Sequence, residues 1–348
     1  MKLPGSTHDI EPGNFPVFKV IRMGILGAAR IAPVALIQPA RLLPNVELAA
    51  VAASSVAKAV AFADDHAVAR AASSYTELLD SPDIDVIYNA LPPYLHEQWS
   101  VAALESGKHV LCEKPFAMNA AEAGRMVKAA NTSQRLLVEA FHYRFHPYFR
   151  RVLELLTSDV IGNIRHIEAR FDVRISYSPA EFRHSPALGG GALMDLGCYP
   201  VHWVRTLMGS EPRVMRADCV RSHSGVDVTT RASLKFVGEV TAEVMTSMSD
   251  TASHQHEAQV IIEGEKGRLI LDNPIAPHHG NKITIETGAA PRSESVAGES
   301  TYYYQLQHFV AAVEGAVEPL TGGEDAINTM QLIDNIYAAA HFDRPELD

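Results

Sequence analysis

Met23-Gly24-Ile25-Leu26-Gly27-Ala28-Ala29-Arg30-Ile31-Ala32 is the stretch on which the fold turns. It completes a short apolar run, Val20–Leu26, and leads into a helix through a turn of small residues. A dinucleotide fold needs such residues there, because the turn is tight and the backbone must approach a pyrophosphate closely. Free amides and the positive end of the following helix then hold the phosphates. Gly27, Ala29 and Ala32 stand where the dinucleotide fingerprint has its three glycines, so two of the three are alanine. Taken alone, the turn also suits any buried strand that feeds a helix. Its place at the head of an alternating pattern favours the nucleotide.

Outward from this turn, apolar runs recur at Glu47–Ala53, Asp85–Leu91, His109–Cys112 and Arg135–Ala140. Between them lie helical stretches, Val56–His66, Leu95–Ser106 and Ala120–Ala130. Continuous apolar strands separated by helices predict a parallel sheet covered on both faces, the doubly wound Rossmann arrangement of the α/β class. The texture changes after Phe145. A helix at about His146–Leu156 precedes an alternating strand, Ile164–Ile175, and the turn Gly189–Gly191 opens a helix at about Ala192–Met208. Six runs follow in series: Val214–Val220, Thr229–Phe236, Val240–Met248, Ala258–Glu263, Arg268–Leu271 and Lys282–Glu286. Strands without intervening helices predict an open, mostly antiparallel sheet in an α+β unit. Helices at about Tyr302–Glu314 and Glu324–Ala340 close the chain. The expected division is an arm at 1–19, a dinucleotide-binding domain at 20–142, and a substrate-binding and oligomerisation domain at 143–348.

Composition narrows the classes of function. The 348 residues favour two domains, and a 47% hydrophobic share supports a real core. The net charge of −11, without a Lys/Arg run, repels nucleic acid and anionic membranes, so neither is an expected partner. Residues 1–19 lack the apolar core of a signal peptide, and no later stretch is long and apolar enough to span a bilayer. Cys112, Cys198 and Cys219 form no zinc or disulfide pattern, so a reducing compartment, the cytoplasm, is expected. The histidine pairs His254/His256, His278/His279 and His142/His146 come without a third ligand at zinc-site spacing, and no metal is expected.

The second apolar run ends in Ala53-Ser54-Ser55, where a carboxylate would select NAD and a cation NADP. With no acidic group, and with two hydroxyls and Arg30 nearby, NADP is expected, with NAD as the alternative. Cys112-Glu113-Lys114-Pro115 follows the fourth run, at the carboxyl edge where such sheets bind ligands. A lysine there is often only a solvated charge. Buried beside a nicotinamide cation, Lys114 would instead have a lowered pKa suited to exchanging a proton with a substrate hydroxyl.

At these motifs the chain resembles the glucose–fructose oxidoreductase/inositol dehydrogenase (Gfo/Idh/MocA) family, in its sugar or dihydrodiol dehydrogenase-like branch. The resemblance rests on Glu113-Lys114-Pro115 after Lys108-His109-Val110-Leu111, and on Ala90-Leu91-Pro92 followed by His96. It extends through Glu139-Ala140-Phe141-His142-Tyr143-Arg144-Phe145-His146-Pro147 and through Gly189-Gly190-Gly191-Ala192-Leu193-Met194-Asp195-Leu196-Gly197-Cys198-Tyr199. The resemblance implies a Rossmann domain, an open-sheet domain and a substrate between them. Lys114, Asp195 and Tyr199 would be catalytic, and residues four apart on a helix do share a face. Cofactor binding would fall to Gly27, Ala29, Arg30, Ile31, Ser54, Ser55, Leu91, His96, Glu113, Lys114 and Arg144. Substrate binding would fall to Lys114, Tyr143, Asp195, Tyr199 and His202. Tyrosine rather than histidine at 199 points to an aldose, a related sugar or a vicinal diol, and the open sheet to a homodimer or homotetramer.

The plainer readings stay open. Asp195 also suits the amino end of its helix, Tyr199 suits core packing, and His202 suits a structural role better than a catalytic one. Cys198 fits a small buried residue. Two other functions are compatible with the family: a glycoside hydrolase that uses tightly bound NAD transiently, and a non-catalytic NAD(P)- or sugar-sensing regulator.

Overall fold

A computed structural model describes residues 20–250 and 256–344; the expected arm and His254 lie outside the described residues. β1 (Ile21–Leu26), β2 (Val46–Ala52), β3 (Val86–Asn89), β4 (His109–Cys112) and β5 (Leu137–Glu139) form one sheet in the order β2-β1-β3-β4-β5, parallel throughout. Met23, Ile25 and Leu26 of β1 and all four residues of β3 are buried, as strands covered on both faces must be. A single parallel bridge, Val51 to Ala71, marks the outer edge beyond β2. Helices α1 (Gln38–Arg41), α2 (Val56–His66), α3 (Tyr75–Asp80), α4 (His96–Glu105) and α5 (Ala120–Ser133) make the crossovers. Ser55, Ser74 and Asn119 cap α2, α3 and α5 by accepting from the backbone amide three residues on. The short α3, which hydrophobic periodicity does not reveal, packs against Gly24: a β-carbon there would press on Leu78.

The second sheet has eight strands: β6 (Ile164–Val173), β7 (Arg213–Arg221), β8 (Asp227–Lys235), β9 (Thr241–Ser247), β10 (His256–Gly264), β11 (Gly267–Asp272), β12 (Lys282–Thr287) and β13 (Arg292–Glu294). Their order is β13-β12-β11-β10-β6-β9-β8-β7, antiparallel except where β6 runs parallel to β9. One face, carrying Ala169, Phe171, Ala232, Leu234, Val244, Val260 and Leu269, is buried. The chain itself covers it with α7 (Cys198–Met208) and the turn Leu193–Gly197. The other face carries Arg165, Glu168, Arg231 and Arg268, all exposed.

Two late helices tie the sheets together. α8 (Thr301–Val313) returns to the first sheet, where Leu306, Phe309 and Val310 join Leu36, Ile37, Val138 and Ala140 in one core. α9 (Glu324–Ala339) packs on both α5 and β7. A third, earlier link is α6 (Pro147–Thr157), which follows the short 3₁₀ turn His142–Phe145 out of the first sheet.

Candidate active site

The site is assembled at the carboxyl ends of β1 to β4. Gly27 has φ of +99°, and a β-carbon there would lie 3.1 Å from the carbonyl oxygen of Ala90. That contact brings the turn after β1 against the end of β3. None of the amides of Ala28, Ala29, Arg30 and Ile31 donates to a backbone carbonyl among the described residues, and Ala28 and Arg30 are exposed. A close, small-residue turn with spare amides fits a dinucleotide pyrophosphate. Ala32 is buried beneath it. Ser55 is occupied in capping α2, whereas Ser54 accepts from Lys58 Nζ at 3.2 Å. Lys58 thus brings to the end of β2 the cation that Ala53-Ser54-Ser55 lacks.

Arg30 reaches across the cleft. Its Nη2 donates at 2.9 Å to Glu181, on the loop ahead of the triple glycine, although the Arg30 side chain is 82% exposed. Leu91 is buried beside Gly27. His96 is buried with Nδ1 2.9 Å from the Pro115 carbonyl and Nε2 2.7 Å from that of Leu91, so it ties together the loops after β3 and β4. Burial pulls its pKa to about 4 against the pull of those carbonyls. Glu113 is buried and accepts from the Tyr88 hydroxyl at 2.6 Å; burial raises its pKa. Arg144 lies apart. Its guanidinium sits 5.3 Å from the Phe149 ring and borders a cleft of about 420 Å³ with Arg150, Tyr304, Gln307 and His308, which includes no nucleotide-turn or catalytic residue.

Lys114 and Asp195 meet. Lys114 Nζ donates to both the backbone carbonyl and Oδ1 of Asp195, each at 2.9 Å, leaving one N–H of the ammonium for another partner. Arg183 Nε donates to Asp195 Oδ2 at 2.5 Å, and its Nη1 to Glu181 Oε1 at 2.9 Å. Five alternating charges, Arg30, Glu181, Arg183, Asp195 and Lys114, therefore run from the nucleotide turn to the lysine. Burial pushes the Asp195 carboxyl up, but Lys114 and Arg183 outweigh it and hold the group at about 2. For Lys114, burial acts downward and Asp195 more than offsets it, so its pKa stands above the ordinary lysine value. The lowered lysine pKa expected from sequence is thus reversed: the expectation lacked a carboxylate in contact with the ammonium.

Asp195 lies in a π-helical turn, Leu193–Gly197, that leads into α7. Gly191 makes this approach possible: its φ is +124°, and a β-carbon would overlap Asp227 Oδ1. Asp227 is buried and accepts from the Leu193 amide and from the Thr230 and Tyr337 hydroxyls. Cys198 is buried, and burial pushes its thiol far up, as suits an inert residue.

The Tyr199 ring lies 5.3 Å from Lys114 Nζ, and its hydroxyl is 3.0 Å from His142 Nε2. His142 Nδ1 is in turn 2.8 Å from Thr301 Oγ1. Tyr143 and His202 turn elsewhere. The Tyr143 hydroxyl is 2.6 Å from His202 Nδ1, and His202 Nε2 is 2.9 Å from Asp325, which Arg205 also holds. His202 stacks on Phe141 at 4.1 Å. Tyr143, His202 and Arg205 in this second network are buried and Asp325 is half-buried, and its hydrogen bonds run between α7 and α9 rather than to Lys114, so it reads as a brace between those helices. Sequence reasoning missed Lys58, His142, Glu181, Arg183, Asp227 and Thr301. Lys58 was findable one turn after Ser54; the others carry no spacing signal. Among the described residues, no group of three or more His, Cys, Asp or Glu side chains is arranged to hold a metal ion. None of the described helices is long and apolar enough to cross a membrane.

A small-residue turn at the end of the first strand of a parallel sheet is an arrangement suited to a dinucleotide, and comparison with known proteins shows the class. A family model described as an oxidoreductase family with an NAD-binding Rossmann fold matches residues 21–141, and the GFO/IDH/MocA C-terminal domain model matches residues 149–270. The chain belongs to the Gfo/Idh/MocA oxidoreductase family. The D-xylose 1-dehydrogenase (NADP(+)) 2 of Haloferax volcanii is 32% identical over 91% of this chain and 96% of its own length. The trans-1,2-dihydrobenzene-1,2-diol dehydrogenase of Xenopus tropicalis is 36% identical over 61% of this chain and 65% of its own. Among solved structures, a 3-ketoreductase from Actinomadura kijaniata in complex with NADP and TDP-benzene superposes with a TM-score of 0.86 at 27% identity, covering 92% of this chain and 98% of that one. The enzyme is an NAD(P)-dependent oxidoreductase.

Proposed function

We propose that this enzyme moves a hydride between NADP and a carbinol carbon of a sugar or vicinal diol, with residues 20–142 holding the nucleotide and 143–348 the substrate. The observation that carries the reading is the Lys114 ammonium, clamped on Asp195 with one N–H to spare, at the strand ends beside the nucleotide turn. The names of the Haloferax, Xenopus and Actinomadura relatives support the substrate class. When bound, the nicotinamide supplies or accepts the hydride. Lys114 binds the carbinol or carbonyl oxygen with its free N–H and exchanges a proton with it, and Tyr199 shares that work. Asp195 holds the ammonium in direction and charge, and Arg183 holds Asp195. The amides of residues 28–31 hold the pyrophosphate, while Ser54, Lys58 and Arg30 favour a 2′-phosphate over a bare ribose.

The test is absorbance of the reduced nicotinamide, with NADP or NAD supplied against a panel of aldoses, ketoses and diols. Turnover with one sugar or diol class, preferring NADP, is expected. Lys114→Ala should lose turnover yet still bind NADPH. Full activity in that variant, or net glycoside hydrolysis without substrate oxidation, would overturn the reading.

A further inference from the structure

We propose that Glu181 is a positioning residue that clasps the substrate domain onto the nucleotide turn, so that the dinucleotide leaves only when the Arg30–Glu181 ion pair opens; the proposal rests on the reaction given above. The observations lie in the segment 176–191, which follows β6 and crosses the carboxyl ends of the first sheet, where such sheets hold a dinucleotide. Two different contacts fix it there. Beside β3 and β4 it is held by packing: a β-carbon at Gly189 would lie 2.7 Å from Pro93, after β3, and 2.7 Å from Met118, after β4. Beside β1 it is held by charge, where Arg30 Nη2 donates to Glu181 Oε2 at 2.9 Å.

Glu181 is the fixed half of this pair. Its side chain is 14% exposed, and its other oxygen accepts from Arg183 Nη1 at 2.9 Å. The backbone behind it is folded on itself: the His184 amide donates to the Glu181 carbonyl at 3.0 Å, and the Gly191 amide to the Arg183 carbonyl at 2.9 Å. His184 Nε2 lies 3.0 Å from the Ile175 carbonyl oxygen, which ties the segment back to its start. A β-carbon at Gly190 would lie 2.5 Å from the Arg183 carbonyl oxygen, so this fold has no slack. Burial opposes the charge of Glu181, but Arg30 and Arg183 outweigh it and hold the carboxyl below its ordinary value. Arg30 is the movable half, long and exposed. It donates to Glu181 through Nη2, which leaves Nε and Nη1 for a phosphate of the cofactor. One guanidinium can therefore hold the loop and the nucleotide together.

The path of the cofactor matches the path of the charges. Its pyrophosphate belongs at the amides of residues 28–31 and its nicotinamide beside Lys114, and these are the two ends of the row Arg30, Glu181, Arg183, Asp195, Lys114. The segment thus closes along the nicotinamide half of the dinucleotide. Parting the packed end would uncover apolar surface on Pro93 and Met118, whereas the Arg30 end is an exposed ion pair that water and salt weaken. Opening therefore begins at Glu181. Because Glu181 also holds Arg183, and Arg183 holds Asp195, the same motion loosens the catalytic carboxylate as the cofactor leaves.

Stopped-flow fluorescence of NADPH release, chased with excess NADP, tests the clasp without any substrate. At low salt Glu181→Gln should release NADPH about three- to fivefold faster than the wild type, the size of effect an exposed ion pair gives. The two rates should converge as salt rises, because screening opens the wild-type pair as well. NADH release should quicken by the same factor, since the clasp does not read the 2′-phosphate. In an Arg30→Ala background, Glu181→Gln should make no further difference; a change of rate there would mean that Glu181 acts through Arg183 alone, and the clasp would be wrong. Unchanged or slower release from Glu181→Gln would also overturn it, while leaving the oxidoreductase reading intact. Failure of the wild type to bind NADPH would sink both together.

Discussion

At the scale of single residues, the site depends on how one carboxylate is divided between two cations. Asp195 gives one oxygen to Lys114 and the other to Arg183, so Arg183 weakens the hold of Asp195 on the lysine. Replacing it (Arg183→Gln) should raise the Lys114 pKa further and move the alkaline limb of the pH–rate profile upward, a shift that loss of packing alone would not produce. Asp195→Asn does the reverse. It leaves the ammonium buried without its counter-ion, so the lysine pKa falls and turnover drops by at least about 100-fold. Breaking a buried pair in this way costs roughly 3–5 kcal/mol of stability, measurable by urea unfolding. On the nucleotide side, Lys58→Ala should weaken NADPH binding about tenfold and leave NADH binding nearly unchanged, because the contact proposed for Lys58 is to the 2′-phosphate alone. Equal loss for both nucleotides would remove Lys58 from cofactor selection.

At the scale of elements, the turn Leu193–Gly197 decides whether the site exists. It is held from beneath by Asp227, which accepts from the Leu193 amide and fills the space a side chain at 191 would need. Gly191→Ala should therefore strain the backbone at φ of +124°, displace Asp195, and lower kcat and thermal stability together. Unchanged kcat in a folded Gly191→Ala variant would show that the turn tolerates another path. Most elements were legible from period alone. The five strands of the first sheet, α2 and the seven strands β6 to β12 of the second fall within a few residues of their expected places. α3 and β13 were not, since a six-residue helix and a three-residue edge strand are too short to express a period.

At the scale of the whole molecule, burial of neutral histidines links stability to pH. His146 is held at about 4, and His142 at about 3, in each case chiefly by burial. Unfolded histidine titrates near pH 6.5. The unfolded chain thus binds more protons below that value, and stability present above it is lost as pH falls toward 4 and then 3. Each histidine contributes a slope of up to about 1.4 kcal/mol per pH unit. Glu139 works the other way, since burial favours its acid form. The comparison that isolates the histidine share is therefore wild type against His146→Asn, whose unfolding free energy should fall less steeply between pH 6.5 and 4.5. Assembly belongs to this scale too. The apolar face of the second sheet is covered within the chain, so a homodimer would form through the charged outer face. Sedimentation should then show an association that weakens as salt rises.

The sequence by itself determined the two sheets, their order of appearance, and the residue types at the chemical centre. Periods of two and 3.6, the small-residue turn at Gly27 and the lysine after β4 are local signals, each written within a dozen residues. Only the tertiary structure decided which groups meet. It paired Lys114 with Asp195 rather than leaving a lowered lysine, turned Tyr199 onto His142, drew Arg30 to Glu181, and set Arg144, Tyr143 and His202 aside from the lysine. Those contacts join residues from 57 to 151 positions apart in the chain. A pKa depends on charges within a few ångströms, wherever in the chain they lie. No local pattern can report what another strand end or a returning helix brings into that radius.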